Sequence, residues 1–149
     1  MSKSAEIDIE VAHHVRDTCL CLHTQQAARA MARRFDQVLK PAGLNNGQFS
    51  LLMAISRREA ANLGPLAEFL GMDRTTLTAK LKPLQRRGLL RIAIDEDDRR
   101  NRRIAITEAG RNTLARALPL WTAAHAEIER LFDGGADRLR QDLRRLREA

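Results

Sequence analysis

Nine consecutive positions, Asp95-Glu96-Asp97-Asp98-Arg99-Arg100-Asn101-Arg102-Arg103, carry eight charges and no apolar side chain. Four arginines within five positions can bond phosphate oxygens, or enter a narrow minor groove where the negative potential is enhanced. The acids before them suit a supporting role. Asp98 is expected to orient one arginine through a bidentate carboxylate–guanidinium pair. The competing reading is a loop that neutralises itself with internal salt bridges.

A second group stands just upstream, in Arg74-Thr75-Thr76-Leu77-Thr78-Ala79 and the residues after it. On a helical wheel Leu77, Leu81 and Leu84 fall together and face inward, while Thr75, Thr78, Ala79, Lys82 and Arg86 fall opposite. Hydroxyls, a methyl-sized side chain and cations suit a major groove, where base edges and phosphates are both in reach. Arg74 and Thr76 lie at the helix N-terminus, the usual end for base contacts. Three threonines in four positions lower helix propensity, so a merely stable exposed helix explains them poorly.

The charge distribution agrees. The chain has 149 residues and a net charge of +7. Residues 73–103 hold ten cations and five anions, while the stretches on either side are each only +1. A basic patch on a neutral body is the electrostatic footprint of a nucleic-acid binder. Hydrophobic residues at 44% and charged residues at 30% exclude a wholly disordered chain. The lack of a long apolar run argues against a membrane partner. Met1–Glu6 lacks the apolar core of a secretory signal. Two cysteines cannot staple a secreted scaffold, which points to a reducing, cytoplasmic compartment.

These groups need a frame. Residues 10–40 read as one long helix, with Val11, Val15, Cys19 and Leu22, then Ala27, Met31, Phe35 and Val38, at three- and four-residue spacing. A second helix is expected over 47–58, with Phe49, Leu52, Met53 and Ile55 inward. A short helix over 66–70, a turn at Gly71 and a helix over 74–87 form a helix-turn-helix. Asp73 is placed to cap the latter and Gly88 to end it. Pro83 has no rationale in the spacing and is expected to weaken the helix near Ala79. Strands over 89–94 and 103–106 flank the charged loop as a hairpin. Thr107 caps a helix over 108–131, with Leu114, Leu118, Trp121, Ile128 and Leu131 as its seam and Pro119 inside. The last helix, 136–147, carries a Leu139/Leu143/Leu146 seam that needs a partner.

The run from Leu66 to Gly110, above all Asp98-Arg99-Arg100 followed by Ile106-Thr107-Glu108-Ala109-Gly110, resembles the MarR family of winged-helix transcriptional regulators. The resemblance implies a mainly α fold with a small β-hairpin wing, an α+β winged helix-turn-helix. Residues 1–149 would be a single domain of this type, with 47–107 binding DNA and the long helices 10–40 and 108–149 joining a homodimer. It implies double-stranded DNA with a palindromic operator as partner, Arg100 as the minor-groove residue of the wing tip, and Asp98 as its support. Arg99, Arg102 and Arg103 add to the same surface.

Members of the family commonly sense a small aromatic acid or an oxidant. His13, His23, Arg29 and Trp121 are the candidates for an effector, although Arg29 also fits an intrahelical pair with Gln25. Cys21 matches the position of the reactive thiol in hydroperoxide-sensing members, but the chain has no tyrosine to activate it. Cys19 and Cys21 would point about 200° apart on one helix, and buried structural thiols are the favoured reading. No spacing fits a metal, a cofactor or a catalytic set. The reading is a DNA-binding regulator, a repressor released by a small effector. Thiol sensing through Cys21 and non-specific architectural DNA binding are the alternatives.

Overall fold

The computed structural model of the chain describes residues 6–57 and 60–149. Met1–Ala5, and with them the reading of the N-terminus, lie outside that range, as does the expected helix end at Arg58. The chain divides into two compact units, Met1–Arg34 and Phe35–Ala149.

In the first unit the expected single helix is two. Helix α1 spans Ile9–Thr18, capped by Asp8, and α2 spans Leu20–Leu39, ending in the second unit. The break falls on Cys19, whose ψ of 107° is extended. Its N–H still closes α1 on the Val15 carbonyl at 2.9 Å, and its Sγ accepts the Leu22 N–H at 3.5 Å, capping α2. The Thr18 hydroxyl is turned back onto the His14 carbonyl at 2.7 Å. The apolar rhythm runs across this point without a fault, so periodicity alone does not reveal it. Val11 and Val15 remain exposed.

The second unit holds the core. Phe35 and Leu39 are buried at the end of α2, which tightens into a 3-10 turn at Lys40–Ala42 and stops at Gly43. Helix α3 spans Asn46–Ser56 behind a reciprocal capping box of Asn45 and Gln48. Helices α4 (Leu63–Leu70) and α5 (Arg74–Arg86) meet at Gly71, in the left-handed region at φ 65°. Pro65 sits in the first turn of α4, where its missing N–H costs nothing. Strands β2 (Leu90–Ile94) and β3 (Arg102–Ile106) form the hairpin. Sequence reading missed the two-residue β1 (Ala61–Asn62), which pairs antiparallel with β3 and makes β3 the central strand.

Leu52, Ile55, Leu77, Leu84 and Ile104 are fully buried and define the centre of this unit. Helix α6 (Glu108–Glu129) buries Leu114 and Ile128, but Leu118 and Leu131 are exposed, against expectation. Leu131 lies past the helix end, which is why it leaves the seam. Gly134 and Gly135, both at positive φ, turn the chain into α7 (Asp137–Glu148). Leu139, Leu143 and Leu146 are 40–46% exposed along one stripe of α7. No helix among the described residues is long and apolar enough to cross a membrane.

Candidate nucleic-acid interface

Helix α5 is anchored from below and left open above. Leu77, Leu81 and Leu84 are buried, so the opposite face, with Thr75, Thr78, Ala79, Lys82 and Arg86, is exposed, as the wheel predicts. Asp73 caps the first turn by accepting the Thr76 N–H at 2.7 Å and its hydroxyl at 2.8 Å. These two bonds hold the Asp73 carboxyl below its ordinary range. They also commit the Thr76 proton to the cap. The Thr78 hydroxyl donates to the Arg74 carbonyl at 2.8 Å, which leaves its lone pairs free to accept. Thr75 has no side-chain partner among the described residues, so it is the hydroxyl free to donate. Arg74 folds back over the first turn of α4. A Cβ built on Gly64 would meet its Nη2 at 2.7 Å, so the glycine makes room for the guanidinium. Pro83 lies inside α5, and the helix continues through it to Arg86.

A residue the sequence reading passed over holds the far end of α5. Arg87 donates to the carbonyl of Gly43 at 2.8 Å, tying the end of the helix to the turn after α2. Nothing in the spacing signals a pair 44 positions apart.

The hairpin tip corrects one expectation. Asp98 does not pair with a guanidinium. Its Oδ1 accepts the Arg100 backbone N–H and its Oδ2 the Asn101 amide, both at 3.0 Å. Asp95 does the same for the Asp97 N–H at 3.0 Å. A short side chain one or two residues before a turn reaches the backbone more readily than a long flexible arginine does. The acids therefore shape the turn. Arg102 leans on the carbonyls of Arg99 and Asn101, and Arg99, Arg100 and Arg103 are exposed without an ion pair among the described residues. The self-neutralised loop is not what forms.

The effector candidates are divided. His13, His23 and Arg29 are exposed in the first unit, where Arg29 donates to Gln25 at 3.3 Å as its spacing predicts. Trp121 is in the second, stacked between Phe49 and His125. It lines an apolar cavity of about 340 Å³ with Phe49, Met53, Phe69 and Leu118. Arg57, which sequence reading did not single out, stands at the cavity with its guanidinium 5.0 Å over the Phe69 ring. Cys21 is exposed and Cys19 partly so, which overturns the expectation of buried thiols. Cys21 is also not mid-helix but the second residue of α2. Among the described residues no group of three or more His, Cys, Asp or Glu side chains could hold a metal ion.

Comparison with known proteins gives three kinds of likeness. The model of the MarR family matches residues 44–101. The transcriptional regulator SarZ of Staphylococcus haemolyticus (strain JCSC1435) is 30% identical over 93 residues, covering 62% of this chain and 63% of SarZ. The transcriptional activatory protein BadR of Rhodopseudomonas palustris is 30% identical over 112 residues, covering 73% of this chain and 61% of BadR. The chain thus spans under two thirds of these curated relatives. Over the fold, the M. tuberculosis transcriptional regulator MosR, solved in complex with DNA, is 39% identical with a TM-score of 0.79, covering 86% of this chain and 92% of that one.

Proposed function

The chain belongs to the MarR family, and from that premise we propose that it is a transcriptional regulator that binds double-stranded DNA through α5 and the hairpin tip. One observation carries the reading. The two elements present hydroxyls and unpaired cations, while the carboxylates beside them are consumed in capping α5 and in turning the hairpin. Ion pairs elsewhere, such as Arg138 with Asp142, show that this chain pairs its arginines where acids are free.

The reading extends to a homodimer on a palindromic operator. The exposed stripes of Val11 and Val15 on α1 and of Leu139, Leu143 and Leu146 on α7 suit burial against a second copy. It further takes the protein as a repressor released by a small aromatic acid. The cavity at Trp121 offers apolar faces for a ring, and Arg57 a cation for a carboxylate. The test is a footprint and gel shift on the intergenic DNA around the gene, followed by titration with benzoate and salicylate. Protection of a palindrome, lost on adding the acid, is the expected result. Equal affinity for random DNA would leave a non-specific DNA protein instead. Trp121, the single tryptophan, reports cavity binding directly by fluorescence.

A second reading, release by oxidation at Cys21, is favoured by the break at Cys19. An extended Cys19 takes its sulfur out of helical phase, so the two thiols no longer lie on opposite sides of one helix. Both sulfurs accept hydrogen bonds, Cys21 from Gln25 Nε2 at 3.1 Å. A hydroperoxide would take two electrons from the pair, giving a disulfide, an alcohol and water.

A further inference from the structure

We propose that the outer face of the hairpin, through Arg91 and Arg103, grips the sugar–phosphate backbone of DNA lying outside the stretch that α5 reads. The proposal rests on the DNA-binding reading above.

The register fixes this face. Side chains alternate along a strand, and Leu90, Ile104 and Ile106 are buried against the core. Arg91, Ala93, Arg103 and Ala105 therefore point the other way. Arg91 stands opposite Ala105, and Arg103 opposite Ala93. Each guanidinium thus faces a methyl group, and the two arginines sit on a diagonal with a low floor between them. Over this floor opens a groove of about 740 Å³, bounded by Gln85 and Gly88 at the end of α5 and by Thr107. No carboxylate lines it.

Its electrostatics differ from those of the rest of the surface. Neither Arg91 nor Arg103 has a hydrogen bond or ion pair among the described residues. On α7, by contrast, Arg138, Arg140 and Arg145 all meet Asp137, Asp142 or Glu129. Two like charges on one strand face repel, and nothing within the chain offsets that cost. A polyanion with regularly spaced charges does. DNA is the polyanion the neighbouring elements already present. If the hairpin tip enters the minor groove, the face turned away from the core meets the duplex that continues past the tip. The phosphate strand there supplies the carboxylate-free groove with the charge it lacks.

The experiment uses two duplexes centred on the footprinted site, one ending at its borders and one longer by about one helical turn, roughly 10 base pairs, at each end. Binding of the wild type and of an Arg91→Ala/Arg103→Ala variant is followed by fluorescence anisotropy over a range of salt. The wild type should bind the longer duplex more tightly and with a steeper salt dependence. The variant should bind both duplexes alike, its slope on the long duplex reduced by about one unit for each guanidinium removed. Arg91→Ala alone should fall between them. Both side chains are exposed, so an unchanged thermal midpoint is expected and checks the fold. A wild type that does not distinguish the duplexes overturns the proposal. A slope that falls equally on both also overturns it, by placing the arginines inside the short footprint. Absence of wild-type binding to either duplex sinks the DNA reading itself.

Discussion

Asp98 and Arg100 are joined through the backbone and not through their charges: the Asp98 carboxylate accepts the Arg100 N–H at 3.0 Å and leaves the guanidinium free. This makes a sharp distinction between two substitutions. Asp98→Asn keeps an oxygen to close the turn and removes a negative charge beside DNA, so affinity for the operator should hold or rise. Asp98→Ala loses the turn and should bind more weakly. Equal weakening of both, measured by anisotropy, would restore a carboxylate–guanidinium pair as the working contact.

Arg100→Ala should weaken operator binding without shifting the thermal midpoint, because the side chain is exposed and unpaired. The plot of log affinity against log salt should flatten by about one unit for each phosphate that the guanidinium neutralises. An unchanged slope would take the hairpin tip out of the binding mechanism.

Gly110 and Gly71 are both required, for different reasons. A Cβ on Gly110 would collide with the Leu89 carbonyl oxygen, a backbone atom that cannot step aside. Around Gly71 there is open space, and only its φ of 65° resists a side chain. Gly110→Ala should therefore cost about 3 kcal/mol through overpacking, and Gly71→Ala about 1 kcal/mol as a left-handed residue. Urea unfolding of the two variants checks the order. The reverse order would mean that the start of α6 yields.

Glu129 holds the joint between α6 and α7. It accepts from Arg140, and secondarily from the Ala136 N–H, which together keep its carboxyl below its ordinary 4.5. A carboxyl depressed in the folded state stabilises fully above its unfolded value, and that contribution disappears as pH falls through the folded one. Wild type should therefore be more stable than Glu129→Gln at neutral pH. The gap should narrow as pH drops below 4.5. Parallel thermal midpoints across that range would show that the charge is not what holds the joint.

A Cys19→Ser/Cys21→Ser protein should keep its DNA binding and its release by aromatic acids, if the cavity at Trp121 is the sensor. Hydroperoxide titration of wild type and variant on operator DNA decides. Release of the wild type alone would transfer the switch to the thiols.

Much of this was legible in the residues. Asp73 and Thr107 cap the helices their positions announce, and Leu77, Leu81 and Leu84 face inward, because caps and amphipathic stripes are local. The exposed face of α5 follows from the same wheel. What escaped was non-local or hidden by a continuous pattern. The break at Cys19 rests on one dihedral angle inside an unbroken apolar rhythm. Strand β1 is two residues long and exists only because β3 lies beside it. Arg57 and Arg87 gain their roles from partners brought near by folding, Phe69 and Gly43. Asp98 was read by charge, where proximity to the backbone decides.

Thr107 and Gly110 have a mechanical consequence. The Thr107 N–H bonds the Leu89 carbonyl, its hydroxyl bonds the Gly88 carbonyl at 2.6 Å, and its oxygen caps the Gly110 N–H. The exit of α5, the entry of β2, the exit of β3 and the first turn of α6 are thereby pinned at one vertex, and the bare Gly110 lets them close on it. With no slack at that vertex, α6 acts as the handle of a rigid bracket whose two prongs are α5 and the hairpin. Tilting the handle rotates both prongs by the same angle. The distance between them is conserved while their aim on the duplex changes, so one small rotation disengages both prongs in a single stroke.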